Sequence, residues 1–114
     1  MERPSYLPTG GFVLDALGYP KRLSLEAYIT WEMEAEDVWV ATGWHPTWLA
    51  KSRVGDVEVS TIFLAMRGRL ADQPFETWVK GPGRSHFSRC DTAQEAWAGH
   101  WCLVWQFWVR GEEG

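Results

Sequence analysis

Cysteine is scarce in this chain, and long apolar runs are missing. Cys90 and Cys102 are the only cysteines in 114 residues. With residues 92–109 helical, as argued below, the two lie about 15–18 Å apart along the helix axis. A disulfide needs Cα atoms within about 7 Å, so no intrachain bridge is expected, which agrees with a reducing compartment. No apolar run approaches the roughly 20 residues of a membrane span, so no membrane partner is expected. Residues 1–11, MERPSYLPTGG, lack the apolar centre of a secretory leader, which points to the cytoplasm.

Recognisable catalytic signatures are also wanting. There is no glycine-rich phosphate loop, no serine elbow and no HExxH. His86, Cys90, His100 and Cys102 could be read as metal ligands. Their spacings, His86-x3-Cys90 and His100-x-Cys102, match no strong zinc pattern, so neither metal nor cofactor is expected. Basic residues are in deficit: 11 Lys and Arg stand against 15 Asp and Glu, for a net charge of -4. Phosphate would repel most of such a surface, so long duplex DNA is disfavoured as a partner. The deficit is uneven. Residues 1–50 carry -4, residues 51–89 carry +3 and residues 90–114 carry -3. An anion would be tolerated in the middle of the chain.

Tryptophan is the residue in excess, with nine copies. One small core cannot easily hide nine indoles and give each N–H a partner. Several are therefore expected at the surface, where aromatic area usually meets a partner, a ligand or a second copy of the chain.

One domain is expected from the length. Its centre is the run VEVSTIFLAM, residues 57–66, the longest β-branched and apolar stretch. Alternation puts Val57, Val59, Thr61 and Phe63 on one face of an interior strand. The Gly55-Asp56 dipeptide before it reads as a two-residue hairpin loop. Residues 1–10 read as loosely held, residues 11–15 as a short strand and residues 17–20 as a turn. Ser24 caps a helix predicted to run to about Ala35, with Leu25, Tyr28, Trp31 and Ala35 facing inward. Residues 37–44, DVWVATGW, read as a second strand, with Gly43 as a bulge. Residues 48–54 look less regular.

Residues 75–80 and 85–89 read as a hairpin about residues 81–84. That register pairs Lys80 with Ser85, Val79 with His86, Trp78 with Phe87, Thr77 with Ser88 and Glu76 with Arg89. Thr92 to Glu95 is a capping box that starts a helix running to about Val109. Ala96, His100, Leu103 and Phe107 form one stripe of it, and Trp97, Trp101, Val104 and Trp108 the next. Apolar residues cover most of its circumference, so burial on more than one side is expected, by a dimer or a partner. The fold class is α+β: an antiparallel sheet of four to five strands with two helices packed on one face.

Several segments together resemble a family of small uncharacterised bacteriophage and prophage proteins. They are DVEVSTIFLAM at residues 56–66, Phe75-Glu76-Thr77 followed by Gly81, and Thr92-Ala-Gln-Glu-Ala96 with Gly99-His100. The family carries a pattern like VSTVFLGLDH, then LFETMVFGG, then TWEEAEAGH. This chain departs from it at Ala65-Met66-Arg67-Gly68, where members read GLDH. The resemblance implies a phage or prophage origin, and a short accessory protein that binds host machinery or captures a host nucleotide.

Three functional readings follow. The first is a non-enzymatic accessory protein that binds a host protein or an anionic nucleotide. Its ligand site would be the cationic and aromatic set Arg67, Arg69, Trp78, Lys80, Arg84, Phe87 and Arg89, since indoles stack bases and guanidinium groups fork onto phosphates. The competing view of those residues is a solvated sheet edge. The second reading is a self-associating module whose homo-oligomer interface is Trp97, Trp101, Trp105 and Trp108. The third is a small enzyme using Glu76, His86 and Cys90. Against it, Glu76 faces Arg89 as a structural ion pair, and His86 and Cys90 are too far apart along one strand for a direct hydrogen bond.

Overall fold

The computed structural model describes residues 10–65, 70–82 and 84–113. Of the expected loose segment at residues 1–10, residues 1–9 lie outside the described residues, as do Met66, Arg67, Gly68 and Arg69, while Gly10 is buried rather than loose. The chain runs β1 (Gly11–Leu14), β2 (Pro20–Leu23), α1 (Leu25–Thr42), β3 (Trp48–Val54), β4 (Val57–Phe63), β5 (Phe75–Gly81), β6 (Arg84–Cys90) and α2 (Ala93–Glu113). β3, β4, β5 and β6 form one antiparallel sheet in sequence order, and β1 with β2 forms a separate two-stranded ribbon. The fold is α+β. Helix α2 lies across the four-stranded sheet, whereas α1 takes its main backbone contacts from the ribbon.

β4 is interior, as its composition demands. Val59, Thr61 and Phe63 are buried beneath α2. The strand stops at Phe63, short of the predicted end at Met66. Beyond it the Leu64 amide donates to the Pro74 carbonyl at 2.8 Å, and Leu64 and Ala65 lie outside the ladder. The core gathers Phe63, Phe75 and Ala96, with Phe12, Leu14 and Leu49 packed around them. The rings of Phe63 and Phe75 lie 5.4 Å apart between centroids. Full burial of each contributes roughly 1.5–3 kcal/mol. The ribbon reaches this core because Gly10 lets its backbone come close. A Cβ there would sit 1.5 Å from the Leu23 carbonyl oxygen.

The expected strand at residues 37–44 is not a strand. Residues 37–42 finish α1, which is 18 residues long and ends at Thr42. Val38, Trp39 and Val40 are strand formers by propensity, but strand preference depends on what a strand can pack against. Ser24 has already nucleated the helix, accepting a hydrogen bond from the Ala27 amide at 3.2 Å. Extending an existing helix costs far less than starting a new element. Gly43 ends it as a left-handed cap with φ 75°, its amide donating to the Trp39 carbonyl, so it is not a bulge.

The β5–β6 hairpin has the predicted register at every pair. β3 is an edge strand with a bulge between Trp48 and Ala50, which explains its irregular pattern in sequence. The bulge turns both Leu49 and Ala50 inward, Leu49 onto the core cluster and Ala50 into a buried position. At the start of α2, the Glu95 amide donates to the Thr92 hydroxyl at 3.1 Å, and that hydroxyl donates to the Glu95 carboxylate at 3.0 Å. Past His100 no described residue of α2 is buried, so this chain covers only one side of the helix.

Candidate functional site

Among the described residues, His100 is, with Thr61, a polar group wholly removed from solvent. It is fully buried, with Nε2 2.8 Å from the Ser52 hydroxyl and Nδ1 2.8 Å from the Thr61 hydroxyl. Thr61 in turn lies 2.8 Å from the Thr77 hydroxyl. Two strands, β3 and β4, thus meet one imidazole under α2, and β5 joins the chain of hydroxyls through Thr77. Burial holds the His100 pKa below the usual histidine range, so the ring is neutral at pH 7. A serine hydroxyl on a histidine nitrogen has the outline of a catalytic pair. Thr61 occupies the place of an orienting carboxylate, however, and full burial denies a substrate access to the ring. The chain of hydroxyls satisfies a buried polar group and ties α2 to the sheet.

The enzyme reading loses its constellation to the sheet pleat. Glu76 pairs with Arg89, while His86 pairs with Val79 and Cys90 with Phe75. Val79 and Phe75 face α2, so alternation sends His86 and Cys90 to that side and Glu76 to the opposite one. Burial raises the Cys90 thiol above its ordinary range, and the nearby Glu95 carboxylate adds to the rise. The helix start therefore does not favour a Cys90 thiolate, contrary to the simplest expectation. Glu76 accepts a hydrogen bond from Arg89 Nε at 2.9 Å and another from the Trp78 indole N–H. The structural ion pair expected from sequence is thus in place.

The sheet face away from α2 carries the cationic and aromatic set. Trp78 and Phe87 are cross-strand partners whose rings stack 4.9 Å apart at 26°. Phe87 is half exposed. Lys80 and Arg89 belong to the same face by register. Arg84 is placed at the hairpin end, opposite Gly81. Arg67 and Arg69 fall outside the described residues, so four of the seven expected ligand residues come together with described side chains.

Two cations on this face escaped the sequence reading. Lys51 and Arg53 of β3 pair with Ser60 and Glu58, which brings them beside Trp78 and Lys80. The signal was available: the Gly55-Asp56 loop fixes that register once β3 is accepted as a strand. Lys51, Glu58, Ser60, Trp78 and Lys80 line a shallow depression of about 250 Å³. Lys51 also approaches Glu58 at 3.9 Å and lies 4.1 Å over the Trp48 ring. The face holds Lys51, Arg53, Lys80 and Arg89 against Glu58 and Glu76, a net positive surface on an acidic protein.

The four tryptophans expected at an interface are all exposed. Trp97, Trp101, Trp105 and Trp108 show 40%, 51%, 65% and 54% of their surface. They recur every three or four residues, so they share a stripe of α2 beside its buried edge. The indoles of Trp97 and Trp101 stack at 11° to each other.

A further aromatic cluster sits where α1 meets β3, and sequence reasoning missed it by treating residues 37–44 as a strand. Trp39 meets His45 and Trp48 edge to face, Trp44 meets Trp48 the same way, His45 and Trp48 are tilted at 41°, and Trp31 joins edge-on through His45. Thr47 orients His45, its amide donating to Nδ1 at 3.1 Å. Comparison with protein-family models, with curated proteins and with solved structures gives no match for this chain.

Proposed function

We propose that this chain is a non-enzymatic binding module that docks on a protein through the tryptophan stripe of α2. The observation behind the reading is the row Trp97, Trp101, Trp105 and Trp108, half exposed on a helix that the rest of the chain covers on one side only. About half of each of four indoles, at roughly 250 Å² apiece, comes to about 500 Å² of apolar surface. A standard interface takes roughly 800 Å² from each partner, so the stripe would supply most of one side. Its spacing favours a second copy of the chain. In an antiparallel pair of α2 helices, Trp101 would meet Trp105 of the other copy and Trp97 would meet Trp108, a self-complementary arrangement.

Light scattering during gel filtration tests this. A dimer is expected from the unaltered protein, and a folded monomer from the Trp101→Asp/Trp105→Asp double variant. A strict monomer from the unaltered protein would remove self-association and leave a host protein as the occupant. The stripe as a docking surface would fall if the unaltered protein stays monomeric and the variant captures the same proteins from a host lysate.

A second reading has its own support. The stacked Trp78–Phe87 pair, framed by Lys51, Arg53, Lys80 and Arg89, offers ring faces and positive charge to an anionic nucleotide. Such a ligand should raise the melting temperature, and Lys51→Ala/Lys80→Ala should abolish the rise. Silence across adenine and cyclic nucleotides would dismiss it. The resemblance to phage and prophage proteins supports an accessory role in the host cytoplasm for either reading.

A further inference from the structure

A groove of about 860 Å³ opens where the turn between β1 and β2 meets the start of α2. Its apolar lining includes Leu17, Tyr19, Pro46, Trp48, Phe75 and Trp97. The turn that forms one wall is pinned. The Asp15 carboxylate accepts from the Leu17 and Tyr19 amides at 2.9 Å each, and the Asp15 amide donates to the Tyr19 carbonyl at 2.9 Å. Gly18, with φ 86°, sets the turn close against α2, so that a Cβ there would lie 3.3 Å from the Ala93 Cβ. Leu17 and Tyr19 are thus held in place while 81% and 67% of their surfaces stay open. Exposed apolar side chains grouped around one groove mark a docking surface, which apolar residues scattered singly do not.

Trp97 belongs both to this groove and to the α2 stripe, so the two surfaces are continuous. The stripe offers about 500 Å² against the roughly 800 Å² that a stable interface takes from each partner. Tyr19 can add 67% of roughly 200 Å², and Leu17 a comparable area. Together they bring one side to about 750 Å², the size a stable pair needs. The same symmetry identifies the occupant. In an antiparallel pair of α2 helices (Ala93–Glu113), the last turns of one copy lie opposite the first turns of the other. Those first turns carry Ala93, Gln94 and Trp97 of the groove. Trp108, 54% exposed, is the largest side chain of the last turns.

We propose that the groove at the β1–β2 turn receives the end of α2 from a second copy of the chain, with Trp108 of that copy as the anchor against Leu17 and Tyr19. The inference rests on the self-association reading and adds the ribbon turn to its interface. Twofold symmetry makes the contact occur twice in each pair. The test is analytical ultracentrifugation of the full chain, the Leu17→Ala and Trp108→Ala variants, and the double variant. Leu17 is almost wholly open in one copy, so its replacement leaves the fold intact, which an unchanged far-ultraviolet circular dichroism spectrum checks. Loss of part of a buried leucine from each copy should raise the dimer dissociation constant at least about 10-fold. Trp108→Ala should raise it at least as much. The double variant should fall short of the product of the two effects, because both changes remove one contact. A strict monomer from the unaltered chain removes self-association and this inference with it. A dimer whose dissociation constant is unchanged in Leu17→Ala keeps the stripe and overturns the groove as part of the interface. Fully independent effects of the two changes overturn Trp108 as its occupant.

Discussion

Replacing His100 by Leu should cost stability in a way that depends on pH, and both parts can be worked from the structure. Leu keeps an apolar body of similar length but removes both ring nitrogens. The bonds to Ser52 and Thr61, each 2.8 Å, are lost. Thr61 retains Thr77 as a partner, and half-buried Ser52 can turn to water. Two net hydrogen bonds at about 1 kcal/mol each, with some desolvation left uncompensated, put the loss near neutral pH at about 2–3 kcal/mol.

The pH dependence follows from linkage. Burial places the folded pKa of His100 below the unfolded value of 6.5. Between those two values the unfolded chain binds more protons, so stability increases with pH there. The contribution is fully present above the unfolded value and is lost as pH falls through the folded one. Over that window the slope from this residue is at most about 1.4 kcal/mol per pH unit. The Leu variant has no such group, so its deficit should shrink as the solution is acidified. Urea unfolding of both proteins from about pH 7.5 down to about pH 5 measures this directly. His45 and His86 are present in both and cancel in the difference. An acid slope identical in the two proteins would refute the assignment of His100 as the buried, neutral linchpin.

Three other changes follow from the same reasoning. Phe63→Ala empties a fully buried position against Phe75 and should lower unfolding free energy by about 3–5 kcal/mol in denaturant titration. Glu76→Gln keeps the size and an acceptor but removes the charge from a carboxylate only 8% exposed that both Arg89 and the Trp78 indole reach; with the Arg89 side chain 45% exposed, a loss of about 1–2 kcal/mol is expected, smaller at high salt. Gly10→Ala forces a Cβ into the Leu23 carbonyl, so the β1–β2 ribbon should detach. Hydrogen exchange should then show amides of residues 11–23 losing protection while those of β4 and β5 keep theirs.

Where structure is set by short-range chemistry, the sequence is enough. The turn after Lys80 and strict alternation pin β5 against β6, so a register of five named pairs is readable from fifteen consecutive residues. Thr92 and Glu95 mark the start of α2 by a reciprocal hydrogen-bond pattern of their own. The exposure of Trp97, Trp101, Trp105 and Trp108 also follows from counting, because a helix this apolar outruns what one small sheet can cover.

Tertiary structure decided the rest, because contacts between distant residues leave no local trace. Residues 37–42 carry strand-like side chains, yet they continue a helix that Ser24 had begun and Gly43 ends. His100 finds hydroxyls 48 and 39 positions earlier in the chain. Lys51 and Arg53 join Trp78 only through two rounds of strand pairing, and the same pleat carries Glu76 away from His86 and Cys90. Propensity acts over a few residues and settles turns and caps. Which charges and rings share a face depends on how the elements stack, and that is settled only when the whole core closes.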